Sequence, residues 1–514
     1  MPEHFKIKLV TGLLVALFLL PLGLFLLRRG PRTFFKKLIS ATAVLLLMVV
    51  CSALILLLLI RFGGLEMEWR GGYVPIVTWK KTKPDFEALE RSRLQQSKLS
   101  SVAATPATIK ANWPAFRGPH QNGEYDGSPI ITNWPSAGLR LLWKQACGGG
   151  YSSFAMADGR AFTLEQRRDA EVLVAYDIET GRELWTNGWS AKFTEYHSDE
   201  GPRTTPVYDD GKVYALGATG EFRCVNATNG TLVWGKNVMT ENSASLPDYG
   251  LAASPLIVDE KIILQPDAYH GKSVVCYDKR DGKMLWHALD LPMGYATPMV
   301  VALGGERQVI VCGRLWVIGL RLDDGVERWR YPWHINNNER PITQPLLLGT
   351  NSMLVTAAYM TGCAAFEVDR TNDTFEAREL WKNKNLKSKF ASAVLWQGYV
   401  YGLDEDILVC VDAQTGERKW KDGRYGYGQL LLASGHLILQ CANGELALIK
   451  ATPESLTELA RFPALHGKSW NAPAIGGGRI LLRNGAEMAC YEISPPEKVA
   501  PAIPASVSKV SPHN

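Results

Sequence analysis

The sequence predicts an all-β fold, an eight-bladed β-propeller of four-stranded blades, preceded by two transmembrane α-helices. Three observations predict it. An eleven-residue phrase recurs along most of the chain, a strand–turn–strand word stands before each copy, and two long apolar runs occupy the N-terminus. Repeats at a spacing of roughly 40 to 50 residues have the period of a propeller blade.

The apolar runs cover residues 9–27 and 38–60. Each is near the roughly 20 residues that a helix needs to cross a bilayer. A single apolar run reads as a signal peptide. Two runs split by a basic hinge, with no small-residue cleavage pattern after the first, read as a membrane hairpin over residues 1–61. Arg28, Arg29, Arg32, Lys36 and Lys37 lie in the hinge, and the formal net charge of the whole chain is only +5. Such a cluster is expected to stay in the cytoplasm. Everything after residue 60 then faces the periplasmic, extracytoplasmic side of the inner membrane. The remainder is close to neutral, so no nucleic-acid surface is expected.

Residues 62–111 form a charged connector, with a short helix expected over 84–100 and a flexible link over 101–111. The ring is expected over 112–494. The Pro-, Ala- and Ser-rich tail, 495–514, reads as disordered.

The phrase is clearest as CVDAQTGERKW, from Cys410 to Trp420, and as AYDIETGRELW, from Ala175 to Trp185. A small residue opens a strand, and Asp177 or Asp412 follows two places on. Gly181 or Gly416 then closes a tight turn, where positive φ favours glycine. The aspartate satisfies turn amides. The closing Trp185, Trp234, Trp286, Trp329, Trp381 and Trp420 are expected on outer strands, packed against the next blade. A decayed copy covers 447–462, with Ala447 read in the small slot and Phe462 in the tryptophan slot. The eighth copy, MACYEIS from Met488, breaks off. Its missing outer strand is expected at the start of the ring, in LRLLWK, residues 139–144. Closure of that kind leaves no exposed sheet edge.

These repeats resemble those of eight-bladed propellers related to pyrroloquinoline quinone (PQQ) dehydrogenases and to the outer-membrane assembly scaffold BamB. The opening WPAFRGPHQNG, from Trp113 to Gly123, is similar to the entry segment of many bacterial proteins with PQQ-like repeats. The resemblance covers roughly residues 113–494 and implies the fold. It implies less about function, because enzymes and scaffolds share the repeat.

Entry words such as YSSF from Tyr151 and WNAP from Trp470 put side chains near one mouth of the ring. Candidates there are Tyr151, Ser153, Glu165, Arg167, Arg203, Thr205, Ser254, Tyr295, Thr297, Gln344, Lys389, Ser392, Tyr427, Gln429, Trp470 and Asn471. If the resemblance extends to a cofactor, Arg203 and Lys389 would hold the carboxylates of PQQ. Trp470 or Tyr295 would stack on it, and Glu165 would ligate Ca²⁺ or act as a base. The structural alternative is that these groups satisfy strand ends. The serines and threonines fit that alternative best, since repeat architecture alone explains them.

The enzyme pattern is incomplete. Quinoprotein alcohol dehydrogenases carry adjacent cysteines over the cofactor, and none of the nine cysteines here has a cysteine neighbour. No CxxCH haem site and no zinc spacing occurs. Cys224, Cys276, Cys410 and Cys490 share the small slot of the phrase and read as buried thiols, too far apart to pair. His197 and His270 read as solvated loop residues, and no metal site is expected. No nucleophile elbow and no P-loop is present. The expectation is a platform that binds a protein or small-molecule ligand at the propeller face, with a PQQ-dependent oxidoreductase of alcohols or sugars as the rival.

Overall fold

The computed structural model describes residues 34–61, 65–68, 76–79, 84–99, 112–195 and 198–495. The first apolar run, the tail beyond 495 and His197 lie outside the described residues. The chain divides between Lys81 and Thr82 into two compact units.

In the first unit, helix α1 (Phe34–Arg61) forms over the second apolar run, which contains neither Gly nor Pro. Its side chains are described from 45 to 58, and all but Met48 and Ser52 are exposed. That stretch is shorter than a bilayer crossing, and among the described residues no helix is long and apolar enough to cross a membrane. Leu65–Glu68 and Ile76–Trp79 pair as an antiparallel hairpin.

The second unit carries eight sheets around a ring. Blade 1 runs from its inner to its outer strand as Ala155–Ala157, Arg160–Arg167, Ala170–Asp177 and Glu183–Ser190. Blades 2 to 7 follow over 207–237, 256–288, 299–332, 346–383, 394–424 and 429–463. Blade 8 takes Ala474–Gly476, Arg479–Arg483 and Glu487–Glu492 from the end of the chain and its outer strand, Leu141–Ala146, from the start. Ring closure therefore follows the sequence expectation, two residues downstream of 139–144.

One register recurs. The small residue of the phrase faces the tryptophan, as in Ala175↔Trp185, Cys276↔Trp286 and Cys490↔Trp143, and a bulge follows at once. The extra residue twists the outer strand and lays the indole over the turn of the next blade. Trp185 Nε1 donates to the Ala227 carbonyl at 3.0 Å, and Trp143 Nε1 to that of Ile178 at 2.7 Å. Gly181 has φ +69°, and a Cβ there would lie 2.6 Å from Trp143. Asp177 Oδ1 accepts from the amides of Glu179 and Thr180. Trp329 departs from the pattern and donates to Gln308 Oε1 in its own blade. The phrase of the following blade carries an insertion, now a long hairpin of Gly362–Thr371 and Thr374–Asn383, so no glycine turn is offered.

Blade 7 corrects the sequence alignment. Its bulge falls after Leu448, which faces Ala460. The small slot therefore holds Leu448 and the tryptophan slot holds Ala460, not Ala447 and Phe462. A large aliphatic and a small residue have exchanged places across the pair, and the leucine is smaller than the tryptophan of the other blades.

The seam between blades 8 and 1 holds a buried polar network. Arg483 is fully buried. Its guanidinium donates to Thr163 Oγ1 at 2.6 Å and to the carbonyls of Leu164 at 2.9 Å and Gly148 at 3.0 Å. Helix α2 (Phe86–Leu99) clasps the same seam outside. Asp85 caps it through the Ala88 amide, Arg93 pairs with Glu183 of blade 1, and Gln96 donates to Gln145 of blade 8. All eight cysteines of the ring are buried thiols, and among the described residues none forms a disulfide.

Candidate functional site

The entry words lie where the chain enters each inner strand, so they converge at one end of the axis. Their third residues stitch the blades together. The Ser153 amide donates to Thr205 Oγ1 at 3.1 Å, that of Thr205 to Ser254 Oγ at 2.9 Å, and that of Ser254 to Thr297 Oγ1 at 3.0 Å. Farther round, Gln344 donates its amide to Ser392 Oγ, and the Ser153 hydroxyl donates to the Ala472 carbonyl. Asn471 Nδ2 donates to the carbonyls of Gly150 and Ser152. These hydroxyls are a circumferential seal between blades.

The first residues of the words form a collar. Trp470 of blade 8 stacks on Tyr151 of blade 1, with centroids 6.1 Å apart and planes at 21°. It also meets Phe390 at 5.0 Å and the edge of Tyr427 at 6.3 Å. Lys468 Nζ sits 3.7 Å from the Trp470 centroid, donates to Tyr151 Oη at 2.7 Å and pairs with Asp199 at 3.2 Å. Lys389 Nζ lies over Tyr427 at 4.8 Å, Phe390 at 5.2 Å and Tyr359 at 5.5 Å. On the facing side Tyr295 meets Tyr249 edge-on at 5.6 Å, and Arg340, which pairs with Asp267, lies over the Tyr295 ring.

Arg203 borders the collar between Phe193 and Tyr151, bonded to Ser198 and to the Gly201 carbonyl. Burial lowers its pKa from the ordinary guanidinium value. Burial, reinforced by Asp199, pushes the Tyr151 phenol well above its ordinary value. Burial also raises the Glu405 carboxyl, against the pull of Lys389.

Glu165 is not in the collar. It is fully buried in the wall of blade 1. One oxygen accepts from Tyr176 Oη at 2.8 Å, and the other from Arg167 Nε at 2.9 Å and the Gly148 amide at 3.0 Å. Burial works to raise this carboxyl, but Arg167 and Arg483 overcome it and hold the group below the usual carboxylate range.

Tyr151, Lys389, Tyr427 and Trp470 of the sequence candidates thus come together, with Arg203 at their border and Tyr295 opposite. The sequence candidates do not include Lys468, Phe390, Tyr249, Arg340 or Tyr359. Phe390 had a legible signal, because it fills the same word position as Tyr151 and Trp470. His270 is exposed, and its backbone amide is held by Asp290.

The collar does not fit PQQ, a flat quinone with three carboxylates. The lysine ammonium and the Tyr151 ring already cover Trp470. Lys468, Arg203 and Arg340 each have a carboxylate partner, in Asp199, Glu195 and Asp267. Glu165 has both oxygens engaged. Among the described residues no three His, Cys, Asp or Glu side chains group as metal ligands.

A cavity of about 600 Å³ lies along the axis and reaches the opposite ends of the inner strands. One wall is the segment Trp113–Gly123, which runs inside the ring. Asn112–Trp113 pairs with blade 1, and Glu124–Tyr125 lies parallel to the inner strand of blade 7. Two contacts shape the segment. A Cβ on Gly118 would lie 2.7 Å from Trp113, and one on Gly123 would lie 2.9 Å from the Arg117 guanidinium. Arg117 is buried and donates to the carbonyls of Asn122 at 2.6 Å, Ala393 at 2.7 Å and Ser392 at 2.8 Å. Among the described residues no carboxylate pairs with it. The Trp–Arg-Gly–Gly spacing of the word is the spacing of these contacts.

A family model described as outer membrane protein assembly factor BamB matches residues 168–422. The sequence has no significant match among the curated proteins. Among solved structures, BamB from Moraxella catarrhalis aligns at 14% identity and TM-score 0.50, over 69% of this chain and 97% of that one. A quinohemoprotein alcohol dehydrogenase from Comamonas testosteroni aligns at 15% identity and TM-score 0.56, over 79% and 83%. Another from Pseudomonas putida HK5 aligns at 13% identity and TM-score 0.56, over 76% and 81%. Likeness at such identities is likeness of fold.

Proposed function

We propose that this chain, an eight-bladed propeller of PQQ-like repeats, is a binding platform that holds a protein or small-molecule ligand on its collar face. The observation that carries the reading is the chemistry of the collar. Tyr151, Phe390, Tyr427 and Trp470 are rigid aromatic side chains, and Lys389 and Lys468 lie over their rings. Tryptophan and tyrosine held on a rigid frame are among the side chains enriched at the anchors of interfaces. A catalytic site instead needs groups converging on a reacting atom.

Calorimetry with PQQ, with and without Ca²⁺, tests the reading. No heat is expected in either case. Binding at micromolar or tighter concentration that requires Ca²⁺ would replace the platform with a quinone-dependent dehydrogenase of alcohols or sugars.

The same proposal places the platform on the extracytoplasmic face of the inner membrane, held by the apolar runs 9–27 and 38–60. The support is their length, the basic hinge between them and the exposed leucines of α1, among them Leu46 and Leu57. The full chain is expected to need detergent for extraction, and a chain beginning at residue 62 is expected in the soluble fraction. Recovery of both without detergent would remove the anchor from the proposal.

A further inference from the structure

Part of the collar is an aromatic cage around one ammonium. Lys389 Nζ lies 4.8 Å from the ring centroid of Tyr427, 5.2 Å from that of Phe390 and 5.5 Å from that of Tyr359. All three fall within the roughly 6 Å over which a ring face attracts a cation. The rings come from three places in the fold. Phe390 and Tyr427 stand at the entries to the inner strands of blades 6 and 7, and Tyr359 is in the turn between the second and third strands of blade 5. Glu405 belongs to the same group. Tyr427 Oη donates to its Oε2 at 3.4 Å. Burial raises the Glu405 carboxyl, and the charge that opposes this most strongly is Lys389. Rings grouped around a cation are the means by which proteins recognise quaternary ammonium ligands. A carboxylate beside the rings adds attraction of the same sign.

The backbone is strained where it builds the cage. Tyr359 and Met360 have φ of 57° and 62°. Among the described residues they are the one adjacent pair of non-glycine residues with positive φ. A two-residue turn of that hand ordinarily takes Asn-Gly. Here the turn is closed by the Thr361 amide, which donates to the Ala358 carbonyl at 3.0 Å. Asn336 fastens it from the neighbouring loop. Its Nδ2 donates to the Tyr359 carbonyl and its amide to Thr361 Oγ1, both at 3.0 Å. Glu405 also has positive φ, 59°. Strain that the surroundings hold in place gathers at ligand clamps.

The cage is open to solvent. Tyr427 is buried, but Tyr359, Lys389, Phe390 and Glu405 are each only partly so. The resident ammonium is carried on a flexible four-carbon stem and is strongly hydrated. Water is therefore a ready alternative for it. A quaternary ammonium carries no N–H and gives up less hydration on entering the rings.

We propose that Tyr359, Phe390, Tyr427 and Glu405 form a binding site for a quaternary ammonium group, occupied in the free chain by Lys389, which the ligand displaces. The inference rests on the platform reading and names a chemistry that the collar takes.

The experiment uses the full chain in an uncharged maltoside detergent, with binding measured by calorimetry. The probes are choline and 3,3-dimethylbutan-1-ol, a neutral molecule of the same shape. Lys389→Met keeps most of the stem and removes the competing charge. It is expected to bind choline roughly tenfold more tightly than the parent, the scale of one desolvated cation–π contact. The neutral probe is expected to show no such gain. Adding Tyr427→Leu to Lys389→Met is expected to abolish the gain. Lys389→Gln replaces Lys389→Met if the latter fails to fold by circular dichroism. A peptide bearing trimethyllysine is titrated beside choline. Binding of either supports the site, and the tighter of the two names the source, a protein or a small solute. A folded Lys389 variant that binds choline no more tightly than the parent would overturn the proposal. So would a gain shared by dimethylbutanol, or one that survives in a folded chain without the Tyr427 ring. Failure of the cage leaves the platform reading in place, since that reading falls to Ca²⁺-dependent PQQ binding and not to the choline series.

Discussion

Replacing Arg483 by methionine is expected to lower stability by about 3–5 kcal/mol at neutral pH. The side chain is fully buried at the seam where the last blade meets the first. Methionine preserves part of the volume but leaves Thr163 and the carbonyls of Leu164 and Gly148 without their donor. It also removes one of the two cations that hold the Glu165 carboxyl low. The loss therefore has a pH signature. A carboxyl whose folded-state pKa is depressed adds stability above its unfolded pKa, and that share disappears as pH falls through the folded value. The difference between the parent and Arg483→Met is expected to shrink below the ordinary carboxylate range. Urea unfolding across that range measures it. A difference that stays constant with pH would mean that Arg483 acts through packing and hydrogen bonds alone.

Trp185→Ala is expected to cost a similar amount, about 3–5 kcal/mol, through the cavity it leaves and the lost bond to Ala227. Trp185 is 9% exposed and covers the Gly230 turn of blade 2. The loss falls on a joint between two blades. The change is expected to expose amides in both blades in hydrogen exchange, not in blade 1 alone. Protection lost only within blade 1 would show that the tryptophan supports its own sheet and not the joint.

The ring was legible because its phrase carries its own physics. A small residue, an aspartate, a glycine and a tryptophan at fixed spacing leave few alternatives, and the missing outer strand of the eighth copy pointed to the start of the chain. Blade 7 shows the limit. Letters align Ala447 with the small slot, but the bulge after Leu448 sets the register, and a bulge has no letter of its own. The collar was half legible. Tyr151 and Trp470 share a word position, whereas Asp199 and Lys468 reach it from loops whose paths follow no repeat. Glu165 misled for the opposite reason. A charged residue beside an entry word suggests a mouth, yet its strand turns it into a wall already supplied with Arg167 and Tyr176. WPAFRGPHQNG was recognisable as a word, but its role as a cavity wall depends on which blades it lies between.

Closure of the last blade also sets a constraint in time. Arg140 and Glu492, bonded across the final strand pair, are 352 residues apart. Until residues 474–492 have been made, blade 8 does not exist and the strand Leu141–Ala146 has nothing to pair with. Seven blades then wait as an open arc with an unpaired sheet edge, a state prone to association with other chains. Contacts of such long sequence separation form slowly. The rate of assembly is therefore expected to depend on that one pairing, and a chaperone that shields an open arc would act on this protein mainly before its last strand is made.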